Sequence, residues 1–196
     1  PYYRIRFNGK SARALAADGL AMALAHAENG TAAIGAGILA EYALTCLDRG
    51  MGAAGLARAL EQKRQDVCVL ALVDTLEYLK RGGRISATTA VLGSMLQIKP
   101  VLHVDDEGHL INIAKARGRA ASLKALVDKM EITAIDPKDQ IVFISHGDCL
   151  ADAEMVAQMV KDRMGVQQVY INYVGPVIGA HSGPGTLALF YVGTER

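Results

Sequence analysis

Residues 67–80 read VCVLALVDTLEYLK, and a change of pattern within them decides the fold class. The segment begins with the continuous apolar run 67–73, which is typical of a β-strand covered on both of its faces. The LEYLK segment at 76–80 has the composition of a helical turn. A buried strand that leads directly into a helix predicts an α/β or α+β protein, in which helices pack on a sheet.

The segments on either side continue this mixture of helices and strands. Helices are predicted at residues 11–26, 38–47, 120–130 and 151–164, with Gly50 ending the second. Strands are predicted at residues 1–7, 140–145, 168–174 and 187–192, together with a hairpin at 102–113 that turns at 105–108.

Length and composition limit the class of protein. The chain has 196 residues, 51% of them hydrophobic, which is enough for a core in one moderate domain or two small lobes. With 21 basic and 20 acidic residues, the formal net charge is +1. Composition therefore gives no reason to expect a nucleic acid as partner, although charge can still be concentrated on one face.

The cysteines indicate a reducing compartment. Cys46, Cys68 and Cys149 are widely separated in apolar surroundings, which favours buried thiols over a disulfide framework or a zinc cluster. The sequence contains neither a run of eighteen apolar residues nor a charged-then-apolar leader. We therefore expect a cytoplasmic protein without a membrane span or signal peptide.

The segment RGGRIS at 81–86 has residues that suit a binding site. Two glycines allow a sharp turn or a close approach to a ligand, and Arg84 can offer two hydrogen bonds to a carboxylate or phosphate. The alternative is that the glycines end a helix near Lys80 while the arginines are solvated. On this segment alone, the structural role is favoured.

The stretch 178–192, IGAHSGPGTLALFYV, places His181 and Ser182 among glycines and directly before an apolar run. Gly183 and Gly185 flank a proline and indicate a tight turn, which can present an imidazole and a hydroxyl at the end of a sheet. A turn in which the histidine bonds a neighbouring carbonyl is equally compatible with the pattern.

The neighbours of His181 and a second histidine, His146, add two further expectations. Gly179 is expected to allow a close approach beside His181, whereas a nucleophilic Ser182 is disfavoured because adjacent residues of a strand point to opposite faces. His146 follows a predicted buried strand and could form a strand-end site, but a structural role is favoured.

Four segments together resemble the DegV family of bacterial fatty-acid-binding proteins. They are DTLEYLKRGGRIS (74–86), LGSMLQIKPVL (92–102), KARGRAASLKAL (115–126) and VGPVIGAHSGPGTLALFYVG (174–193). The resemblance implies a two-lobed α/β fold. An apparently incomplete N-terminal lobe would occupy residues 1–66, and a C-terminal α+β lobe with helices on a mixed sheet would occupy residues 67–196.

The resemblance also implies a function. Family members hold a long-chain fatty acid in an apolar tunnel, with its carboxylate at the lobe interface, and present it to a separate fatty acid kinase that forms the acyl phosphate. Such a carrier is not an enzyme and uses no cofactor or metal. The alternatives are an acyl- or phosphoryl-transfer enzyme that uses His181, and a regulatory module whose pocket has degenerated.

The family's binding residues can be assigned to matching positions of this sequence. The resemblance places the carboxylate site at Arg84 and His181, supported by the loop residues Ser182, Gly183 and Gly185. Arginine stays charged and pairs with carboxylates, and histidine can donate a hydrogen bond or a proton near neutral pH.

A basic segment contributes a second expected surface. Lys115, Arg117 and Arg119 match a region that resembles a docking surface for the kinase or for an anionic membrane. A solvated basic face is equally compatible with these three residues.

The N-terminal part departs from the family pattern. Residues 1–10 resemble a strand of the first lobe and residues 11–13 the start of a helix, but the hydroxyl-bearing segments that the family carries between them are absent. This predicts either a shortened homologue, which would lack two hydroxyl ligands to the carboxylate, or residues omitted between Lys10 and Ser11. The second is our hypothesis.

Overall fold

The structure is a computed structural model that describes residues 32–85, 98–105 and 109–195. The strand predicted at residues 1–7, the helix predicted at 11–26 and most of the hairpin turn lie outside these ranges.

One six-stranded mixed sheet forms the centre of the described fold, in the order β3-β2-β1-β6-β4-β5. Its strands are β1 (Val67–Leu72), β2 (Ile98–Val104), β3 (Leu110–Arg117), β4 (Ile141–His146), β5 (Gln168–Tyr173) and β6 (Leu187–Val192). All neighbours are antiparallel except β4 and β5, which are parallel. The apolar run that predicted a doubly covered strand forms β1, which lies between β2 and β6.

Six α-helices surround this sheet in the described ranges. They are α1 (Ala32–Asp48), α2 (Ala53–Lys63), α3 (Glu77–Arg81), α4 (Arg119–Thr133), α5 (Leu150–Met164) and α6 (Pro176–Ser182). The helices predicted at 38–47, 120–130 and 151–164 are confirmed within α1, α4 and α5.

The segment between the strands predicted at 168–174 and 187–192, which was expected to be a glycine-rich loop, contains helix α6. The helix begins with Pro176, a residue whose fixed φ suits a first helical position, and ends at Gly183 with φ 80°. The signal was therefore present in the sequence, but a seven-residue helix containing a glycine has little propensity of its own.

The two faces of the sheet are covered by different helices. One face packs against α4 and α5, where Leu70 and Ile144 meet Leu126, Met130 and Val156. On the other face Ile38 of α1 lies in a cluster with Val67, Ala188 and Phe190. The mixed α/β class is confirmed by this arrangement. The domain boundary between residues 66 and 67 stays a prediction.

Cys68 of β1 lies at the end of the sheet near the last described residues. Its side chain is fully buried, and its thiol donates a hydrogen bond to the Glu195 carbonyl at 2.8 Å. Burial raises the pKa of the thiol from an ordinary value of 9.0 to about 11. The neighbouring Tyr191 hydroxyl lies 2.6 Å from Thr133 Oγ1, and burial also raises its pKa.

We expect the free energy of unfolding to fall as the pH rises from 9 toward 11. The thiol ionises near its ordinary pKa in the unfolded chain but two units higher in the folded one, so its contribution is complete below pH 9 and is lost above it. The full loss would be about 2–3 kcal/mol. Urea unfolding at a series of pH values measures this loss. In Cys68→Ala the free energy of unfolding should change less between pH 9 and 10 than it does in the wild type. This range lies below the ordinary pKa of tyrosine, so Tyr191 contributes little to the comparison. An unchanged profile in that variant would contradict the assignment.

Candidate functional site

An apolar cavity of about 140 Å³ lies against the sheet face that also carries Phe190 and Ala188. Val69 and Ala71 of β1, with Val73 directly after it, form part of the wall. The other walls come from β2, β3, β6, α3 and α6. The polar side chains of the lining come from two segments. One is the end of α3, and the other runs from α6 to the start of β6. They are Arg84, His181, Ser182 and Thr186.

The end of α3 brings Arg84 to this cavity. The Arg84 N–H donates to the Leu79 carbonyl at 2.8 Å and the Gly83 N–H to the Lys80 carbonyl at 3.0 Å, a Schellman ending in which Gly83 has φ 69°. The predicted helix end near Lys80 is therefore confirmed. The same turn places the Arg84 guanidinium so that Nη1 donates to the Gly82 carbonyl at 2.7 Å.

His181 of α6 contacts the same turn at Gly82. A Cβ at Gly82 would lie 2.1 Å from His181 Nδ1, so only glycine permits this approach. Arg84 and His181, which the resemblance assigned to one site, are thus brought together at Gly82. The close approach expected at Gly179 is wrong, because a Cβ there would meet only Val174 Cγ2, at an ordinary contact distance of 3.8 Å.

The residues after His181 form a tight turn that is held from two sides. Gly183 has φ 80° and a Cβ there would lie 2.3 Å from the Tyr78 ring, while Gly185 has φ 74° and packs against the Asp74 carboxylate. The Gly185 N–H donates to the Gly147 carbonyl at 2.7 Å. The predicted turn is confirmed, and its glycines are required by both conformation and contact.

The hydroxyls of this segment are used within it. Ser182 Oγ donates to the Ile178 carbonyl of α6 at 2.8 Å, and Thr186 Oγ1 donates to the Gly183 carbonyl at 2.7 Å. Ser182 therefore stabilises the end of α6.

An ion-pair network begins at Asp74, whose carboxylate packs against Gly185 of the turn. Asp74 Oδ1 is 3.0 Å from Lys99 Nζ and 3.5 Å from Arg119 Nη1, and Arg119 Nε is 2.8 Å from Asp152 Oδ2. Of the three predicted docking residues, Arg119 thus takes part in internal pairs, whereas the other two, Lys115 and Arg117 of β3, are exposed.

The comparisons with known proteins identify the family. The family model described as "Uncharacterised protein, DegV family" matches residues 10–194. The chain belongs to the DegV family. The resemblance carried by the four sequence segments is therefore confirmed.

Individual DegV proteins show how far the similarity extends. A DegV domain-containing protein of Clostridium perfringens is 44% identical over 165 residues, which cover 84% of this chain and 57% of that protein. The solved structure of a DegV family protein from Thermus thermophilus, described by its fatty acid binding, has a TM-score of 0.71 and 31% identity, covering 82% of this chain and 57% of that one. A fatty-acid-binding DegV family protein from Streptococcus agalactiae gives 0.68 and 27%, covering 82% and 56%. This DegV chain spans about half the length of the relatives it matches.

Other candidate groups in this DegV chain have structural roles. His146 is 1% exposed, and its Nδ1 accepts the Cys149 N–H at 3.3 Å, as the favoured structural interpretation predicted.

The described ranges contain no group of three or more His, Cys, Asp or Glu side chains placed to hold a metal ion. In the same ranges, no helix combines the length and apolar character needed to cross a membrane.

Sequence reasoning missed the partners that position the site. Asp74 and Tyr78 were noted only as parts of a motif and of a helix, although each lies against one glycine of the turn. For Gly82 the sequence predicts a helix end or a close approach to a ligand, but it does not predict the contact with the His181 ring. The positive φ angles could be anticipated from glycine itself, but the contacts depend on how α3 and α6 pack.

Proposed function

We propose that this protein binds a long-chain fatty acid, with the acyl chain in the apolar cavity and the carboxylate between Arg84 and His181. The observation that carries this proposal is the meeting of a guanidinium and an imidazole at Gly82, on the edge of a cavity whose remaining walls are mostly aliphatic. The named fatty-acid-binding relatives support the same ligand class.

The energetics of such a ligand suit this arrangement. A carboxylate that leaves water needs charged or hydrogen-bonding partners, which Arg84 and His181 would supply. Each buried methylene contributes about 0.8 kcal/mol before entropy costs. The cavity, about 140 Å³, is smaller than the roughly 300–1,000 Å³ usual for ligand pockets, so the described residues would enclose only part of the chain.

The proposed role is that of a carrier whose ligand is acted on by a separate fatty acid kinase. The similarity of the four sequence segments to the DegV family supports this role. The exposed Lys115 and Arg117 would form the docking surface for the kinase or for an anionic membrane.

An enzymatic use of His181 is less well supported, since the hydroxyl of the adjacent Ser182 is donated within α6. The free thiols Cys46, Cys68 and Cys149 suit the cytoplasm as location.

Native mass spectrometry of the protein purified from bacteria tests the proposal. We expect a complex with one long-chain fatty acid, which organic extraction would remove and added oleate or palmitate would restore. A ligand-free protein that takes up neither acid would overturn the proposed function.

Arg84→Ala is expected to weaken fatty-acid binding about fivefold, because an exposed guanidinium contributes at most about 1 kcal/mol to an ion pair. Arg81→Ala is the matched control, since Arg81 is exposed nearby on α3 and pairs only weakly with Glu77, at 3.4 Å. Titration with a fluorescent fatty acid measures both. Equal affinities of the two variants would show that Arg84 does not contact the carboxylate.

A further inference from the structure

Ala71 lies at the centre of the sheet wall of the apolar cavity, between valines two residues before and after it in the chain. Val69, Ala71 and Val73 all line the cavity, and alternate residues of a strand are about 7 Å apart. Ala188 of β6 also lines the cavity and is directly opposite Ala71 in the antiparallel register. Side chains in such a pair lie on the same face of the sheet. The two alanines of the lining therefore lie side by side.

This alanine pair lies where two apolar clusters meet at the cavity. The α3 cluster consists of Val73, Leu76, Leu79 and Leu102. The α1 cluster consists of Ile38, Val67, Ala188 and Phe190. Among the residues that the structure describes, Ala71 alone packs against both clusters. The cavity takes its lining from both of them, so it passes from one cluster to the other across Ala71.

The proposed carboxylate site lies at the α3 cluster. Leu79 belongs to this cluster, and its carbonyl accepts the Arg84 N–H at 2.8 Å. The next residue, Ile85, packs against the same cluster. Val69, at the other end of the sheet wall, packs against the α1 cluster. A fatty acid whose carboxylate is held by Arg84 would therefore direct its acyl chain past Ala71 toward the α1 cluster.

We propose that Ala71 sets the length of acyl chain that the protein accepts. The inference deepens the proposed function and rests on it. With alanine at this position and at the opposite Ala188, the wall leaves room for the chain to continue from the α3 cluster to the α1 cluster. A longer side chain at residue 71 would occupy that passage and exclude the methylenes beyond it. The carboxylate would still be held by Arg84 and His181, because neither contact depends on chain length.

The test compares saturated fatty acids from octanoate to stearate, each titrated by calorimetry into the wild-type protein and into Ala71→Leu. In the wild type, we expect affinity to rise with length by up to about fourfold for each methylene buried. In Ala71→Leu, the rise should stop at a length shorter than palmitate. Palmitate should bind this variant at least about fifteenfold more weakly than it binds the wild type, which corresponds to two excluded methylenes. The shortest acid that binds should do so within about twofold in both proteins.

Ala71→Val provides a second variant with a smaller change. Valine already occupies positions 69 and 73 of the same wall, and β-branched residues are well suited to strands. We expect this variant to melt cooperatively and to bind palmitate about fourfold more weakly than the wild type, as for one excluded methylene. The loss should be smaller than in Ala71→Leu.

Ala114→Leu is the matched control for Ala71→Leu. Ala114 is also a strand alanine, but it lies on β3, is exposed and does not line the cavity. Leucine at this position should leave the dependence of affinity on chain length unchanged.

The outcomes separate this proposal from the proposed function. If no acid of the series binds the wild type, the proposed function fails. If acids bind and Ala71→Leu shows the same dependence on chain length as the wild type, only the role of Ala71 is overturned. Equal weakening of short and long acids would also overturn that role, because the residue would then affect the carboxylate site. Loss of cooperative melting in both Ala71 variants would overturn it in favour of a position that packs against the protein itself.

Discussion

Gly82→Ala is expected to weaken fatty-acid binding about thirtyfold while the protein remains folded. Gly82 has φ −76° and ψ −2°, values that alanine adopts readily, so the backbone itself does not oppose the change. The added Cβ would lie 2.1 Å from Nδ1 and 3.0 Å from Cγ of His181. The imidazole must therefore leave its place beside Arg84. Loss of one hydrogen bond to a carboxylate corresponds to about 2 kcal/mol.

Gly83→Ala is the control for Gly82→Ala. Gly83 has φ 69°, but a Cβ there meets no atom within 4 Å. This variant should lose about 1 kcal/mol of stability from the left-handed backbone and retain its affinity for the fatty acid. Calorimetric titration with palmitate and thermal unfolding measure the two effects separately. If Gly82→Ala binds as tightly as the wild type, the imidazole is not a ligand.

Gly183→Ala is expected to lower the free energy of unfolding by about 2–5 kcal/mol. Alanine at φ 80° accounts for about 1–2 kcal/mol of this value. The rest arises because its Cβ would lie 2.3–2.8 Å from three atoms of the Tyr78 ring, an overpacking that typically costs about 1–3 kcal/mol. The backbone has little freedom to relieve the contact, since the Gly183 N–H donates to Gly179 and its carbonyl accepts from Thr186.

Urea unfolding checks this value against Gly50→Ala. Gly50 follows α1 with the same φ of 80°, but a Cβ there meets nothing within 4 Å, so its substitution should cost only the backbone contribution of about 1–2 kcal/mol. The difference between the two variants measures the contact with Tyr78. Equal losses would mean that the turn moves away from α3 without penalty.

Much of the fold follows from local patterns in the sequence. The apolar run at 67–73 predicted a strand with both faces covered, and β1 occupies the centre of the sheet. The predicted hairpin over 102–113 appears as the antiparallel pair β2 and β3. These predictions succeed because burial on one or two faces imposes a period that each segment shows by itself.

The interpretation of residues 176–182 as a loop failed for a physical reason. Helix α6 is short and contains Gly179, so its intrinsic preference is weak and its contacts with α3 contribute to its stability. Arg119 shows a related limit. Its charge was evident, but its pairing with Asp74 and Asp152 depends on the positions of β1 and α5.

The sequence alone determined the mixed α/β class, the positions of most elements and the tight turn. It also determined the family, whose motifs include positions that correspond to Arg84 and His181. Only the tertiary structure decided that these two residues meet, because it is the packing of α3 against α6 that brings Gly82 to His181. The spacing of apolar residues within one segment shows which of its faces is buried. The distance between side chains that are remote in the sequence is set only when the segments pack together.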